Sequence, residues 1–145
     1  MRTTISAHAL TTMLDHTEPH VHGRPELAAI RLEALGSHLY AVAVDECTMA
    51  VDRADSVNEG RWHAHLSHAD IPLVRTWLGR VDSQADVRLG AAPSGAGTSI
   101  TLRCGHAMLR VVNSIPEQGI PAWHELAAGP LAEVDAAPVL LFRPV

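Results

Sequence analysis

The pattern of apolar and polar positions divides the chain into short, alternating segments. Ile30, Leu32 and Ala34 alternate with Arg31 and Glu33, the period of a half-buried strand. Gly36-Ser37 is a turn signal, and Leu39 to Val44 is apolar on both faces, as an interior strand requires. Thr48 to Val51 resumes the apolar run after Asp45-Glu46. Met1 to Ser6 reads as a further strand, and Ser6 is placed to cap a helix over Ala7 to about His16, with Leu10, Met13 and Leu14 on one face. Thr17 to Pro25 and Ala54 to Gly60 read as a loop and a polar turn region. In the second half, Trp62, Ala64 and Leu66 alternate with Arg61, His63 and His65. Ser67 and Asp70 form a capping box for a helix ending near Gly79, in which Pro72 is tolerable because it falls near the first turn. Asp86 to Leu89, Ser99 to Arg103 and Ala107 to Val112 are three more strands, with a plain hairpin loop over Gly90–Gly97 and a tight turn at Gly105. A short helix is expected from Trp123 to Ala128, and Ala137 to Val145 is a closing apolar segment.

The order strand, helix, several strands therefore occurs twice. It predicts an α+β domain with two helices packed on one face of a mainly antiparallel sheet. Residues 1–126 are read as the domain and 127–145 as a C-terminal tail.

Composition narrows the function classes. The chain has 145 residues, 47% of them hydrophobic, enough for a core and too many for general disorder. No apolar run is long enough to span a bilayer and Met1–Thr12 is no secretory signal, so a soluble cytoplasmic protein without membrane contact is expected. Cys47 and Cys104 make no disulfide framework and read as buried reduced thiols. All 11 basic residues are arginine, against 16 acidic ones, for a formal net charge of −5. An overall basic footprint for nucleic acid is absent, and one Phe with one Tyr makes no base-stacking platform. DNA contact then falls to a local arginine patch, for which Arg24, Arg75 and Arg80 are the candidates.

Candidate chemistry is sparse. His16, His20 and His22 lie near one loop, and His63 and His65 share a strand face, where two imidazoles can meet one metal. Neither group has a standard zinc spacing, so a solvated histidine face is the reading and no metal or other cofactor is assigned. Asp45 and Glu46 are adjacent on a strand and point to opposite faces, which separates them as an acid–base pair. There is no G-x-S-x-G and no phosphate-binding glycine loop. No catalytic residue is assigned, and the chain is read as a non-enzyme.

The stretch RLEALGSHLYAVAVDECTMAVDR resembles the signature region of the bacterial DNA polymerase III beta subunit, the sliding clamp, and in particular its middle domain. In that family a strand ending in Glu leads through a Gly turn to an L-x-x-V-A-T-D strand and then R-L-A-V. The matching positions here are Leu32-Glu33, Gly36, Leu39, Val42-Ala43-Val44-Asp45 and Thr48-Met49-Ala50-Val51. Leu66 to Leu78 is similar to the second clamp helix, and Leu102-Arg103-Cys104-Gly105 to Val111 to the hairpin after it. Gln118 to Trp123 resembles the family's G-x-F-P-x-[YW] connector, with Ile120 replacing Phe. The resemblance covers Thr4 to Leu126.

It implies a domain of a ring in which helices line the hole, sheets form the rim, and partner proteins dock a short peptide in an apolar pocket. By matched position this domain's share of the pocket is Leu27, Val44, Met49, Pro121 and Leu126. Glu46, Cys47 and Thr48 replace the family's small and basic residues, which puts a charge at the pocket mouth. The expected function is a sliding-clamp-like interaction or regulatory module with a protein or peptide partner, weak DNA contact at most, and homo-oligomerisation as a dimer rather than a closed ring. The alternatives are a single-domain clamp that assembles into a ring as a polymerase processivity factor and, behind it, a histidine-based metal protein.

Overall fold

Each half of the chain folds as a strand, a helix and a three-stranded meander, as the repeated pattern predicts. The computed structural model describes residues 2–21, 28–44, 49–95, 97–113, 123 and 139–142, with 44 and 139–142 described as backbone. In the first half β1 (Arg2–Ser6) leads into α1 (Ala7–Thr17) and a 3-10 turn, followed by β2 (Ala29–Leu35), β3 (His38–Val44) and β4 (Met49–Asp55). After the short β5 (Val57–Glu59), the second half repeats the order with β6 (Trp62–Ser67), α2 (Asp70–Leu78), β7 (Asp86–Ser94), β8 (Gly97–Cys104) and β9 (Ala107–Asn113). A last strand, β10 (Val139–Phe142), lies in the segment read as a tail.

The strands divide between two five-stranded antiparallel sheets, in the orders β5-β1-β7-β8-β9 and β10-β4-β3-β2-β6. The halves are exchanged at the joins. β1 pairs with β7 of the second half, Arg2 opposite Gly90 and Ile5 opposite Val87. β6 pairs with β2 of the first, Trp62 opposite Ala34 and Leu66 opposite Ile30. Each meander thus takes the leading strand of the other half, so neither half is a sheet by itself.

Both helices bury their apolar faces in one core shared with the two sheets. Leu10, Met13 and Leu14 of α1 and Ile71, Val74 and Leu78 of α2 join Ile30, Leu32, Leu39, Leu89, Ile100 and Leu102 in one core. Each fully buried side chain of this size contributes roughly 1.5–3 kcal/mol. The Ser6 cap forms as read, while of the expected Ser67–Asp70 box only the serine half is seen, two residues ahead of the Ala69 N-cap. Ser6 Oγ accepts from Ala9 N–H at 3.1 Å, and Ser67 Oγ accepts from Asp70 N–H at 3.2 Å. Gly36 and Gly105 carry the hairpin turns at φ 57° and 59°, a region that a side chain penalises.

Two expectations are corrected. The polar turn region 54–60 contains β5, whose three residues pair with β1 and are too few to show a period. Its Asn58 bolts the sheets together. Asn58 Nδ2 donates to Gly36 O and His38 O at 2.9 Å, while its Oδ1 accepts from Ser56 Oγ and from Thr3 Oγ1. The buried Thr3 Oγ1 in turn accepts from Trp62 Nε1 at 2.8 Å. The expected loop over Gly90–Gly97 is shorter than read, because β7 runs on to Ser94 and β8 starts at Gly97. Pro93 is tolerated there because β1 pairs with β7 only as far as Gly90, leaving an open side where the missing N–H is not needed. Among the described residues no helix is long and apolar enough to cross a membrane.

Candidate functional site

Strand alternation sorts the second sheet into two faces. Ile30, Leu32, Ala34, Leu39, Ala41 and Ala43 face the helices. The opposite face carries a separate apolar cluster of Val42, Met49 and Val51, with Leu35 and Tyr40 packed against it. Trp123, 2% exposed, belongs to this cluster. Its ring lies 5.0 Å from that of Tyr40, centroid to centroid, and its Nε1–H donates to Glu33 Oε2 at 2.9 Å. Glu33 is buried, and Arg31 Nε and Arg61 Nη2 stand 3.6 and 3.7 Å from its carboxylate oxygens. A buried carboxylate is tolerable when donors and cations surround it in this way.

Of the five expected pocket residues, Met49 is described in full and is buried at the start of β4. Val44 ends β3 and pairs in register with Met49, which closes the β3–β4 hairpin beside the Trp123 cluster. Leu27, Pro121 and Leu126 lie outside the described residues, as do Glu46, Cys47 and Thr48. Periodicity placed Glu33 on the polar side of a half-buried strand. It missed that Trp123, ninety residues away, covers that side. The one available signal was the connector in which Trp123 sits.

Two of the three expected cations belong to α2 and the turn after it. Arg75 of α2 donates to Asp15, and its Nη1 lies 3.1 Å from Glu18 Oε2, so two carboxylates of the α1 end compensate one guanidinium. Arg80 is exposed in the turn after α2, and Arg24 lies outside the described residues. Between α1 and β4, His16 Nδ1 and the buried Asp52 Oδ2 share a hydrogen bond of 2.8 Å. Burial pushes the Asp52 carboxyl above its ordinary range, against the His16 bond, the Arg53 N–H bond and the nearby imidazole, which pull it down. A raised folded-state pKa means that the folded state holds the proton more tightly than the unfolded chain. Its stabilising contribution is full below the ordinary carboxylate pKa and is lost as pH rises through the folded value. Asp52→Asn should therefore be at least as stable as the parent at pH 7, and the parent should gain on it as pH falls toward 4. Urea unfolding of both at each pH checks this, and a parent that loses ground on acidification would show the opposite sign.

His63 and His65 share the outer face of the second sheet, opposite Glu33 and Arg31. No group of three or more metal-ligating side chains occurs among the described residues. Cys104 is a free, half-buried thiol at the end of β8, and Cys47 is outside the described residues. The expected helix over Trp123–Ala128 also lies outside them, apart from Trp123.

No protein-family model matches the sequence, and no curated protein matches it. Solved structures do. The chain is similar to the beta sliding clamp of Caulobacter crescentus, with a TM-score of 0.70 and 21% identity over 84% of this chain and 32% of that one. It is likewise similar to the DNA polymerase III subunit beta of Pseudomonas aeruginosa, at a TM-score of 0.67 and 15% identity over 84% and 32% of the two chains. The beta subunit of Streptococcus pyogenes DNA polymerase superposes at 0.63 with 9% identity over 77% and 29%. The chain spans about a third of the length of these proteins and has the fold of a single sliding-clamp domain.

Proposed function

We propose that this protein is a non-enzymatic, clamp-like interaction module of DNA replication or repair, working in the cytoplasm, and that it does not encircle DNA. The observation that carries this reading is the state of the helix side, the surface with which a clamp ring would face the duplex. Its α2 arginine is held by Asp15 and Glu18, α1 carries no arginine or lysine, and the chain has a net charge of −5. A protein that binds duplex through phosphates needs uncompensated cations there, each releasing counterions.

The partner site on this reading is the set expected by matched position, Leu27, Val44, Met49, Pro121 and Leu126, and a partner reaches Met49 only where the Trp123 cluster opens, since Met49 is buried in it. Its apolar character suits an extended peptide carrying hydrophobic side chains. Residues 127–145 serve on this reading as a tail to the domain, with β10 as its anchor.

The test is binding of a labelled 30-base-pair duplex, followed by anisotropy between 50 and 200 mM salt. The reading predicts no saturable binding at micromolar protein. Saturable binding that falls by orders of magnitude across this salt range would overturn it in favour of a ring or another DNA-binding assembly.

A further inference from the structure

The outer face of the first sheet carries a cluster of arginines that the clamp reading does not use. Arg88 on β7 stands directly opposite Arg103 on β8. Arg2 on β1 pairs with Gly90, two residues along β7 from Arg88 and so on the same face. These three side chains are exposed and rim a concavity of about 480 Å³, whose floor includes Gly90, Ala92 and Thr101. A fourth, Arg110 on β9, lies opposite Thr101, its Nη2 reaching Ser94 Oγ at 3.4 Å. The nearest acids on this face by register are Glu59, opposite Arg2, and Asp86, two residues before Arg88. Among the described residues, neither makes an ion pair with Arg2, Arg88 or Arg103.

Two features set this apart from scattered surface charge. Like charges directly opposite each other on a sheet are destabilising, and the Arg88–Arg103 pair accepts that cost in a chain whose acids outnumber its arginines. Glycine inside a strand gives up packing and marks a place where a ligand can approach the backbone, and Gly90 sits at the centre of the dish. We propose that this dish, formed by Arg2, Arg88, Arg103 and the Gly90–Thr101 floor, binds the phosphoryl group of a small phosphorylated ligand. A phosphoryl group offers about two negative charges and three strong acceptor oxygens, enough for three guanidinium forks. A single carboxylate has one charge and two oxygens and leaves one fork unmatched. Among the described residues no aromatic side chain lines the dish, so a nucleobase finds no stacking surface there and recognition falls on the phosphate.

The experiment uses the full chain and inorganic pyrophosphate as the probe, read by calorimetry and by thermal midpoint at constant ionic strength, with acetate as the carboxylate arm. Pyrophosphate should bind with a submillimolar constant and raise the midpoint, and acetate should do neither. Arg88→Gln and Arg103→Gln should each weaken pyrophosphate at least tenfold, the loss expected for one charge-assisted bond. Each variant should fold, with a ligand-free midpoint equal to or above the parent's because a facing like charge is gone. A phosphorylated serine peptide and a 5′-phosphorylated nucleotide then distinguish the sources of the group, since either competes with pyrophosphate if it supplies it. Absence of pyrophosphate binding, equal binding by parent and variants, or acetate binding as tightly would each overturn the proposal. Binding of duplex DNA through these arginines without any pyrophosphate binding would overturn it as well.

Discussion

Trp123→Ala should lower stability by about 3–5 kcal/mol, the range for emptying a large buried aromatic site. The ring is buried against Tyr40 and in the cluster with Val42, Met49 and Val51, and truncation removes all of that packing. It also takes the indole donor from a carboxylate that is 2% exposed. The two contributions separate in Trp123→Phe, which keeps most of the apolar volume and loses the N–H. That variant should cost roughly 1.5–3 kcal/mol, the range for a hydrogen bond to a charged group. Glu33→Gln in the Trp123→Phe background should recover part of it, because the buried charge is then gone. Urea unfolding with a common m-value reads all three. A Trp123→Ala variant within about 0.5 kcal/mol of the parent would mean that the connector does not hold the outer face of the second sheet.

Deletion of residues 137–145 should have the second large effect. Val139–Phe142 pair antiparallel with Met49–Asp52, so the deletion turns β4 into an open edge. At about 1 kcal/mol per backbone hydrogen bond, the loss amounts to roughly 2–4 kcal/mol. A domain of this size loses roughly 3–5 °C in midpoint per kcal/mol. β10 is itself the edge strand of this sheet, so the deletion replaces a four-residue edge by the seven-residue edge of β4, a longer row of unpaired N–H and C=O groups. The truncated protein should therefore self-associate more readily than the parent. Light scattering and the thermal midpoint together report both effects, and a truncation that leaves both unchanged would remove β10 from the account.

Much of the fold is legible in the sequence because the signals involved are local. The period-two run Ile30–Ala34, the double-sided apolar run Leu39–Val44 and the caps Ser6 and Ser67 each depend on neighbours within a few residues. The repeated strand–helix–strand order follows from them, and so does the α+β class. What the residues do not display is pairing between distant segments. The division into two sheets depends on β1 crossing to β7 and β6 to β2, which no period records. The three residues of β5 are too short for a pattern, yet Asn58 within it joins the two sheets.

The candidate site divides the same way. The apolar character of Val44 and Met49 is visible in the chain, whereas the burial of Glu33 beneath Trp123 joins residues ninety positions apart. Arg75 looks like an available cation from sequence, because its two acidic partners sit on the other helix and the turn after it. The arginine dish is hidden for the same reason. Arg2, Arg88 and Arg103 come from three strands and become neighbours only through register.

Sedimentation velocity on the full chain at micromolar concentration, with and without circular duplex DNA, decides whether this clamp domain is an interaction module or closes around DNA. An interaction module runs as a monomer or dimer of the 15.5 kDa chain and does not co-sediment with the DNA. A stable species well above dimer size, retained on closed circles and released when they are cut, would contradict it.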